Sequence, residues 1–473
     1  MRTIHFVSLG CPKNRVDTEV MLGVAEREGY AHVDDPAEAS VIVVNTCGFI
    51  DSARKESVDT ILDLTRHKEE GRCEKLVVAG CLSQRHPEEL ANELPEVDHL
   101  LGSSDMLKLG EVLAGRAERM LVGHPAEWVV REQDPRRIST RGRSAYVKIA
   151  EGCNRTCSFC VIPELRGKQR SREADDVVRE VERLASAGVL EINLVSQDTV
   201  SYGRDLKNGA ELAKLVERVA DVPGVRWVRL FYLYPEKLDD ALLALIADHP
   251  RVLPYVDMPL QHAADGMLRR MRRGHGGKRL YDLVERLRKR VENLVFRTAF
   301  IVGHPGESAE EFEELLTFVR FAEFDRVGVF RYSDEESARS FAIEGKVPPK
   351  TAAARARKLR SVQPRISRKK NRELVGRELE VLVEGPSEES ELVMTGRHAG
   401  QAPEIDGMVY LSGGPVLPGE LRRVRITGAN DYDLVGDVLD EVTETAVATG
   451  AVRINAAPLV HRESDGRRVL RTL

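Results

Sequence analysis

Three apolar runs in the first 81 residues each end in a cysteine: residues 4–9 run into Gly10-Cys11, 41–45 into Thr46-Cys47, and 76–79 into Gly80-Cys81. Helical patterns lie between them at 16–28 and 52–67, the second with Val58, Ile61, Leu62 and Leu64 on one face. Strand, helix, strand predicts a parallel sheet. The strands of such a sheet end at one edge, where open α/β folds bind ligands, so cysteines separated by 36 and 34 residues can meet there. A cysteine near a strand end can be simply a small buried hydrophobe. Three at equivalent positions favour a shared thiolate site. Cys73 precedes its strand instead, and reads as structural or as a free thiol.

A second cysteine triad is compact: Cys153-x3-Cys157-x2-Cys160. Tyr146, Val147, Ile149 and Ala150 before it read as a strand, which puts the thiolates on a loop at a strand's carboxyl end, where α/β barrels keep their active sites. Three thiolates can hold three corners of a cubane iron-sulfur cluster and leave one iron open. A structural zinc ion wants four ligands, and no histidine follows within reach, although remote residues can fold in. Helix and strand patterns then alternate: 175–187 with 191–195, 211–220 with 225–232, 237–248 with 255–260, then strands at 295–302 and 326–332. With the first strand this makes six βα units, short of the eight of a closed barrel, and predicts a partial, open one. Ser196, Gln197, Asp198, Gln261 and His262 should line its mouth, His262 either as a site residue or as a polar barrel residue. Arg166, Arg170 and Arg172 either steer an anionic substrate or form a solvated basic face.

A chain of 473 residues suggests about three domains, and 71 basic against 76 acidic residues give no overall basic signature for nucleic acid. Local balances differ. Residues 350–372 hold ten basic residues and no acidic one, a helical pattern whose basic face could meet RNA or water. Residues 371–440 read as about five short strands separated by Gly, Pro and Asp turns, a small OB-like barrel. With 14 acidic and 6 basic residues this segment has a net charge of −8, which repels phosphates and attracts basic proteins. No apolar run approaches the roughly 18 residues of a membrane span, and no secretory signal opens the sequence. The expectation is a cytoplasmic protein whose clustered cysteines serve metals rather than disulfides.

The CxxxCxxC spacing, with Phe159 before its third cysteine, resembles the radical S-adenosylmethionine (SAM) signature. SLGCPKNRVDTE (8–19), NTCGFI (45–50) and AGC (79–81) resemble the amino-terminal domain of the methylthiotransferases. The closing barrel resembles their TRAM domain. GCPKN with Pro12 and Lys13, LVSQDT followed by Tyr202-Gly203, and APEIDG (402–407) are similar to the branch that modifies a ribosomal protein; Asn14 and Asp17 could orient the loop but read rather as helix-start residues. The resemblance implies an α/β protein: a doubly wound parallel-sheet domain over 1–138, a partial (βα)6 radical SAM core over 139–370, a TRAM barrel over 371–440 and a tail over 441–473. It implies two 4Fe-4S clusters, one on Cys11, Cys47 and Cys81 and a SAM-binding one on Cys153, Cys157 and Cys160. Ser196, Gln197, Asp198 and Gln261 would contact SAM, as would the glycine-bearing segment 301–308. The implied reaction adds a methylthio group to the β-carbon of an aspartate in small-subunit ribosomal protein twelve. The second cluster would generate the radical and the first would present the sulfur, with electrons from a donor such as flavodoxin or ferredoxin. No stable transfer-RNA binding is expected. The alternatives are methylthiolation of a transfer-RNA adenosine, a non-catalytic iron-sulfur carrier and a zinc-stabilised binding module.

Overall fold

The computed structural model describes residues 2–439 together with three short strands, Asn455–Ala456, Val460–Arg462 and Arg468–Leu470. The expected tail lies outside the described residues apart from these strands.

The chain opens with β1 (Thr3–Ser8), α1 (Pro12–Arg27), β2 (Ala31–His32), β3 (Val41–Thr46), α2 (Asp51–Glu69) and β4 (Lys75–Gly80). The sheet runs β2-β1-β3-β4 and continues to His99–Leu101 and Met120–Leu121, every one of these pairings parallel. All six residues of β3 are buried because helices cover both faces. Alternate strand residues divide accordingly: Ile4, Phe6, Val41 and Val43 pack with Val20, Met21 and Val24 of α1. Val7, Ile42, Val44 and Val78 pack with Ile61 and Leu64 of α2. Helix α1 begins at Pro12, four residues before its apolar periodicity, because proline at the first helical position brings a preset φ and lacks only an N–H that would be unpaired anyway. Lys13, Asn14, Arg15, Asp17 and Glu19 in its first turns are buried.

The central sheet has the six expected strands in chain order, Ser144–Lys148, Glu191–Val195, Trp227–Leu230, Val252–Asp257, Val295–Val302 and Arg326–Arg331, all parallel and without closure. One strand lies three residues earlier than its pattern, at Val252–Asp257. Beyond it Pro259 has no N–H for a ladder and Gln261 turns left-handed, with φ 72. The basic helix Pro349–Arg372 packs Ala356 and Leu359 into the same core. Its cations are not a bare face: Arg355 pairs with Glu307, Lys358 with Glu313, Arg368 with Asp431, Lys369 with Glu323 and Lys370 with Asp325.

The third unit is a closed five-stranded barrel in the order Glu378–Pro386, Met394–His398, Val409–Ser412, Leu434–Val438, Leu421–Ala429. Its second strand starts after the exposed acidic turn of Glu388, Glu389 and Glu391. The barrel seats on the amino-terminal ends of the central strands. Glu191, the first residue of its strand, is buried between two guanidinium groups, Arg397 Nη2 at 2.6 Å and Arg229 Nη2 at 3.0 Å. The 402–407 turn fills the remaining gap, with Pro403 O accepting from Tyr146 at 3.1 Å and Asp406 Oδ2 from Tyr255 at 2.7 Å.

Burial pushes the Glu191 carboxyl up, but Arg397 and Arg229 outweigh it and hold the group down to about 2. A depressed carboxyl stabilises the fold fully above the ordinary carboxylate range, near ~4.3, and loses that contribution as pH falls towards 2. Arg397→Met leaves part of this charge uncompensated and should cost about 3–5 kcal/mol at neutral pH. Urea midpoints measured from pH 7 to 2 should drop steeply below pH 4 for the parent and less steeply for the variant.

Candidate functional site

Strands β1, β3 and β4 deliver Cys11, Cys47 and Cys81 to one edge, with Cys47 and Cys81 buried and Cys11 half-buried. Each cysteine has a glycine beside it, and two of these glycines adopt positive φ, Gly10 at 91° and Gly80 at 99°. A Cβ on Gly10 would lie 3.0 Å from Cys47 Cβ and 3.4 Å from its Sγ; one on Gly48 would lie 2.8 Å from the Cys81 carbonyl oxygen. The three loops therefore approach more closely than side chains would permit.

The second triad follows the strand Ser144–Lys148. Cys153, Cys157 and Cys160 line a cavity of about 540 Å³ together with Arg155, Lys168 and Arg339. Gly152 turns the loop at φ 82, where a Cβ would stand 2.3 Å from the Lys168 carbonyl oxygen. Cys153 Sγ accepts from the Arg155 backbone N–H at 3.4 Å, and Cys157 Sγ accepts from Arg273 Nη1 at 3.4 Å.

Burial, and then the neighbouring thiols, push Cys47 and Cys160 up; burial raises Cys153 to about 11, and raises Cys81 against the opposing charge of Arg166. Such thiols make poor nucleophiles at neutral pH, but a metal that displaces their protons compensates the buried charge. Among the described residues no three His, Cys, Asp or Glu side chains converge tightly enough to hold a single metal ion. Three thiolates at each site match three corners of a 4Fe-4S cluster, whereas a structural zinc ion wants four ligands. Cys73 is buried apart from both, in the apolar layer under α2, with Sγ 3.3 Å from the Lys75 carbonyl oxygen.

The two edges are bridged by buried charge. Arg166 donates from Nε to Cys81 Sγ at 3.3 Å, from Nη1 to Asp17 at 2.8 Å and from Nη2 to Asn14 Oδ1 at 2.6 Å. Asp17 also takes Lys148, which in turn pairs with Glu151 at 2.6 Å. Two residues along α1, Glu19 binds Arg136 at 2.6 Å, and Arg136 reaches Glu180, the partner of Arg172 at 2.5 Å. Arg170 donates to the carbonyls of Arg166, Lys168, Pro125 and Trp128. These placements correct the sequence reading. Arg166 and Arg172 are neither solvated nor open to substrate, since both are buried and neutralised, and Arg170 is half-buried on carbonyls. Asn14 and Asp17 do lie in the first turns of α1, and Asn14 also donates to the carbonyls of Leu9 and Thr46 and ties the Cys11 and Cys47 loops together. Lys148, a lone charge in an apolar strand, was the available signal for this network.

At the mouth of the central sheet, Ser196 is buried against Thr199 at 3.1 Å, Gln197 donates to Glu151, and Asp198 Oδ2 accepts from Arg155 at 2.6 Å. Among the described residues Gln197 Oε1, Asp198 Oδ1 and Gln261 Oε1 are buried acceptors without a hydrogen-bond partner, an arrangement that suits a ligand's donors. His262 is buried with Nε2 3.3 Å from Glu307, itself paired to Arg355, and serves the barrel's interior.

Three family descriptions match the chain in order: uncharacterized protein family UPF0004 over residues 3–102, the radical SAM superfamily over 147–319 and the TRAM domain over 375–439. Ribosomal protein uS12 methylthiotransferase RimO of Sorangium cellulosum is 72% identical over 93% of this chain and 91% of its own length. The protein of the same name from Myxococcus xanthus is 48% identical, over 93% and 92%. Among solved structures, the radical S-adenosylmethionine methyltransferase TsrM from Kitasatospora setae, with cobalamin and a 4Fe-4S cluster bound, superposes with a TM-score of 0.50 at 17% identity. It covers 70% of this chain and 75% of that one, and shares the fold.

Gly48→Ala tests the cradle. A methyl group there must displace the Cys81 backbone, so the variant should retain about four irons after anaerobic reconstitution where the parent retains about eight. Iron analysis giving equal loading would separate Cys47 and Cys81 from metal binding.

Proposed function

This chain belongs to the ribosomal protein uS12 methylthiotransferase family, and on that premise we propose that it adds a methylthio group to the β-carbon of an aspartate in ribosomal protein uS12. The observation that carries the reading is the pair of separate cysteine triads, each at the carboxyl edge of a parallel sheet, with Arg166 of the central unit reaching Cys81 and Asp17 of the amino-terminal one. Cys11, Cys47 and Cys81 would hold one 4Fe-4S cluster, and Cys153, Cys157 and Cys160 the other, which binds SAM. When bound, the two clusters and SAM supply hydrogen abstraction and sulfur delivery, chemistry that no side chain can perform on an unactivated C–H bond at neutral pH.

The chain's own residues do the holding. Arg166 and Arg273 donate to Cys81 and Cys157, which stabilises these sulfurs as thiolates. In the cavity beside the second triad Lys168 and Arg339 outnumber Glu164, while Arg155 is already paired with Asp198 and Glu236, which leaves a net positive lining suited to a carboxylate. Gln197, Asp198 and Gln261 offer unpaired acceptors to an ammonium, and Ser196 packs beneath them. The division of labour follows the domains taken as 1–138, 139–370 and 371–440. The acidic barrel, with Glu388, Glu389 and Glu391 exposed, favours a basic protein substrate over transfer RNA. Among the described residues no helix is long and apolar enough to cross a membrane, in keeping with work in the cytoplasm on ribosomal protein. Reducing equivalents would come from a small carrier of the flavodoxin or ferredoxin kind.

Mass spectrometry of ribosomal proteins and transfer RNA from cells with and without the gene should show a methylthio mass lost from uS12 alone. A loss from transfer RNA would reverse the assignment. In the reconstituted protein, Cys157→Ala should abolish release of 5′-deoxyadenosine from SAM, whereas Cys47→Ala should keep that release and lose sulfur insertion. Normal product from Cys47→Ala would remove the first triad from the reaction.

A further inference from the structure

Lys13 follows Cys11 and Pro12 at the start of α1, with the whole residue only 8% exposed. Its side chain leaves the amino-terminal sheet and reaches the mouth of the central one, where Nζ stands 3.3 Å from the ring centroid of Tyr232. Tyr232 lies just beyond the strand Trp227–Leu230, with a positive φ of 57° and its N–H donated to Asp257 Oδ2 at 3.0 Å. A left-handed aromatic residue carries backbone strain, and here that strain sets the ring under the ammonium.

The carboxylates nearest this position are already neutralised. Asp17 is held by Arg166 and Lys148, Glu151 by Lys148 at 2.6 Å, and Asp257 by Arg297 at 2.5 Å. Among the described residues no carboxylate lies within ion-pair distance of Lys13 Nζ, and an aromatic face is its closest partner. Lys13 is therefore a buried cation where the two sheets meet, without a carboxylate partner among the described residues. A buried ammonium that rests on a π face, with the Cys11 thiol, Glu151 and Asp257 acting on it only from a distance, has no ion-paired carboxylate among the described residues.

We propose that Lys13 receives the carboxylate of the substrate aspartate and so selects an acidic side chain at the reacting position. This deepens the preceding reading and rests on it. An aspartate carboxylate lies one bond from the β-carbon, so an ammonium gripping it fixes that carbon between the strand-end cysteines. A nucleobase offers no such anion, and Lys13 would then sit unpaired against it.

The test uses the cluster-loaded enzyme under anaerobic conditions and two synthetic peptides of the uS12 target loop, one with the aspartate and one with asparagine in its place. Parent enzyme should bind the aspartate peptide at least about tenfold more tightly. Lys13→Gln should bind both alike while keeping the parent's iron content and release of 5′-deoxyadenosine from SAM, and Lys13→Arg should restore much of the preference. Equal binding of the two peptides by the parent, or an undiminished preference in Lys13→Gln, overturns the proposal. So does loss of about half the iron from both variants, which would make Lys13 a partner of the Cys11 sulfur instead. Failure of the proposed function looks different: the parent would leave uS12 itself unmodified.

Discussion

The amino-terminal and central sheets are joined by buried ion pairs beside a small apolar patch of Phe49, Cys81, Val161, Leu165 and Ala338. Asp17 and Glu19 of α1 each enter a chain of alternating charge: Asp17 with Lys148, Arg166 and Glu151, and Glu19 with Arg136, Glu180 and Arg172. Ion pairs removed from water add little net stability, yet deleting one member strands its partner and is costly. Such a junction is therefore directional. An apolar seam tolerates sliding, whereas each of these charges accepts only a narrow range of partner positions. The strand ends of one sheet are consequently held facing those of the other.

That alignment brings thiol chemistry together at a boundary neither sheet could form alone. The glycines beside the cysteines let the loops close in, and burial makes the free thiols resist ionisation until a metal takes the proton's place. Arg166 belongs to both arrangements, since one guanidinium neutralises Asp17 and donates to Cys81. Domain docking and the electronic environment of the first triad are thus set by the same group.

Strand positions were legible because parallel strands covered on both faces are continuous apolar runs; the common edge of Cys11, Cys47 and Cys81 was legible because parallel strand ends must meet there, and the second triad from its compact spacing. The OB-like barrel could be read from its short strands and turns. Helix α1 was misjudged at its start because apolar periodicity cannot register a helix face buried through charge: Lys13, Asn14, Asp17 and Glu19 look like solvent-facing residues in sequence. The same blindness made Arg166, Arg170 and Arg172 look like an open basic face. The 350–372 helix looked like a free cationic surface because Glu307, Glu313, Glu323, Asp325 and Asp431, its partners, are distant in sequence or belong to other elements.

The two triads also differ in when they can come into being. Cys153, Cys157 and Cys160 lie within eight residues, so even an unfolded segment keeps them close. Cys11, Cys47 and Cys81 are separated by 36 and 34 residues and meet only once β1, β3 and β4 have paired. Closing those loops carries an entropic cost that sheet formation meets before any iron arrives. The compact motif thus exists before folding, whereas the dispersed one exists only in a chain whose β1, β3 and β4 have already paired.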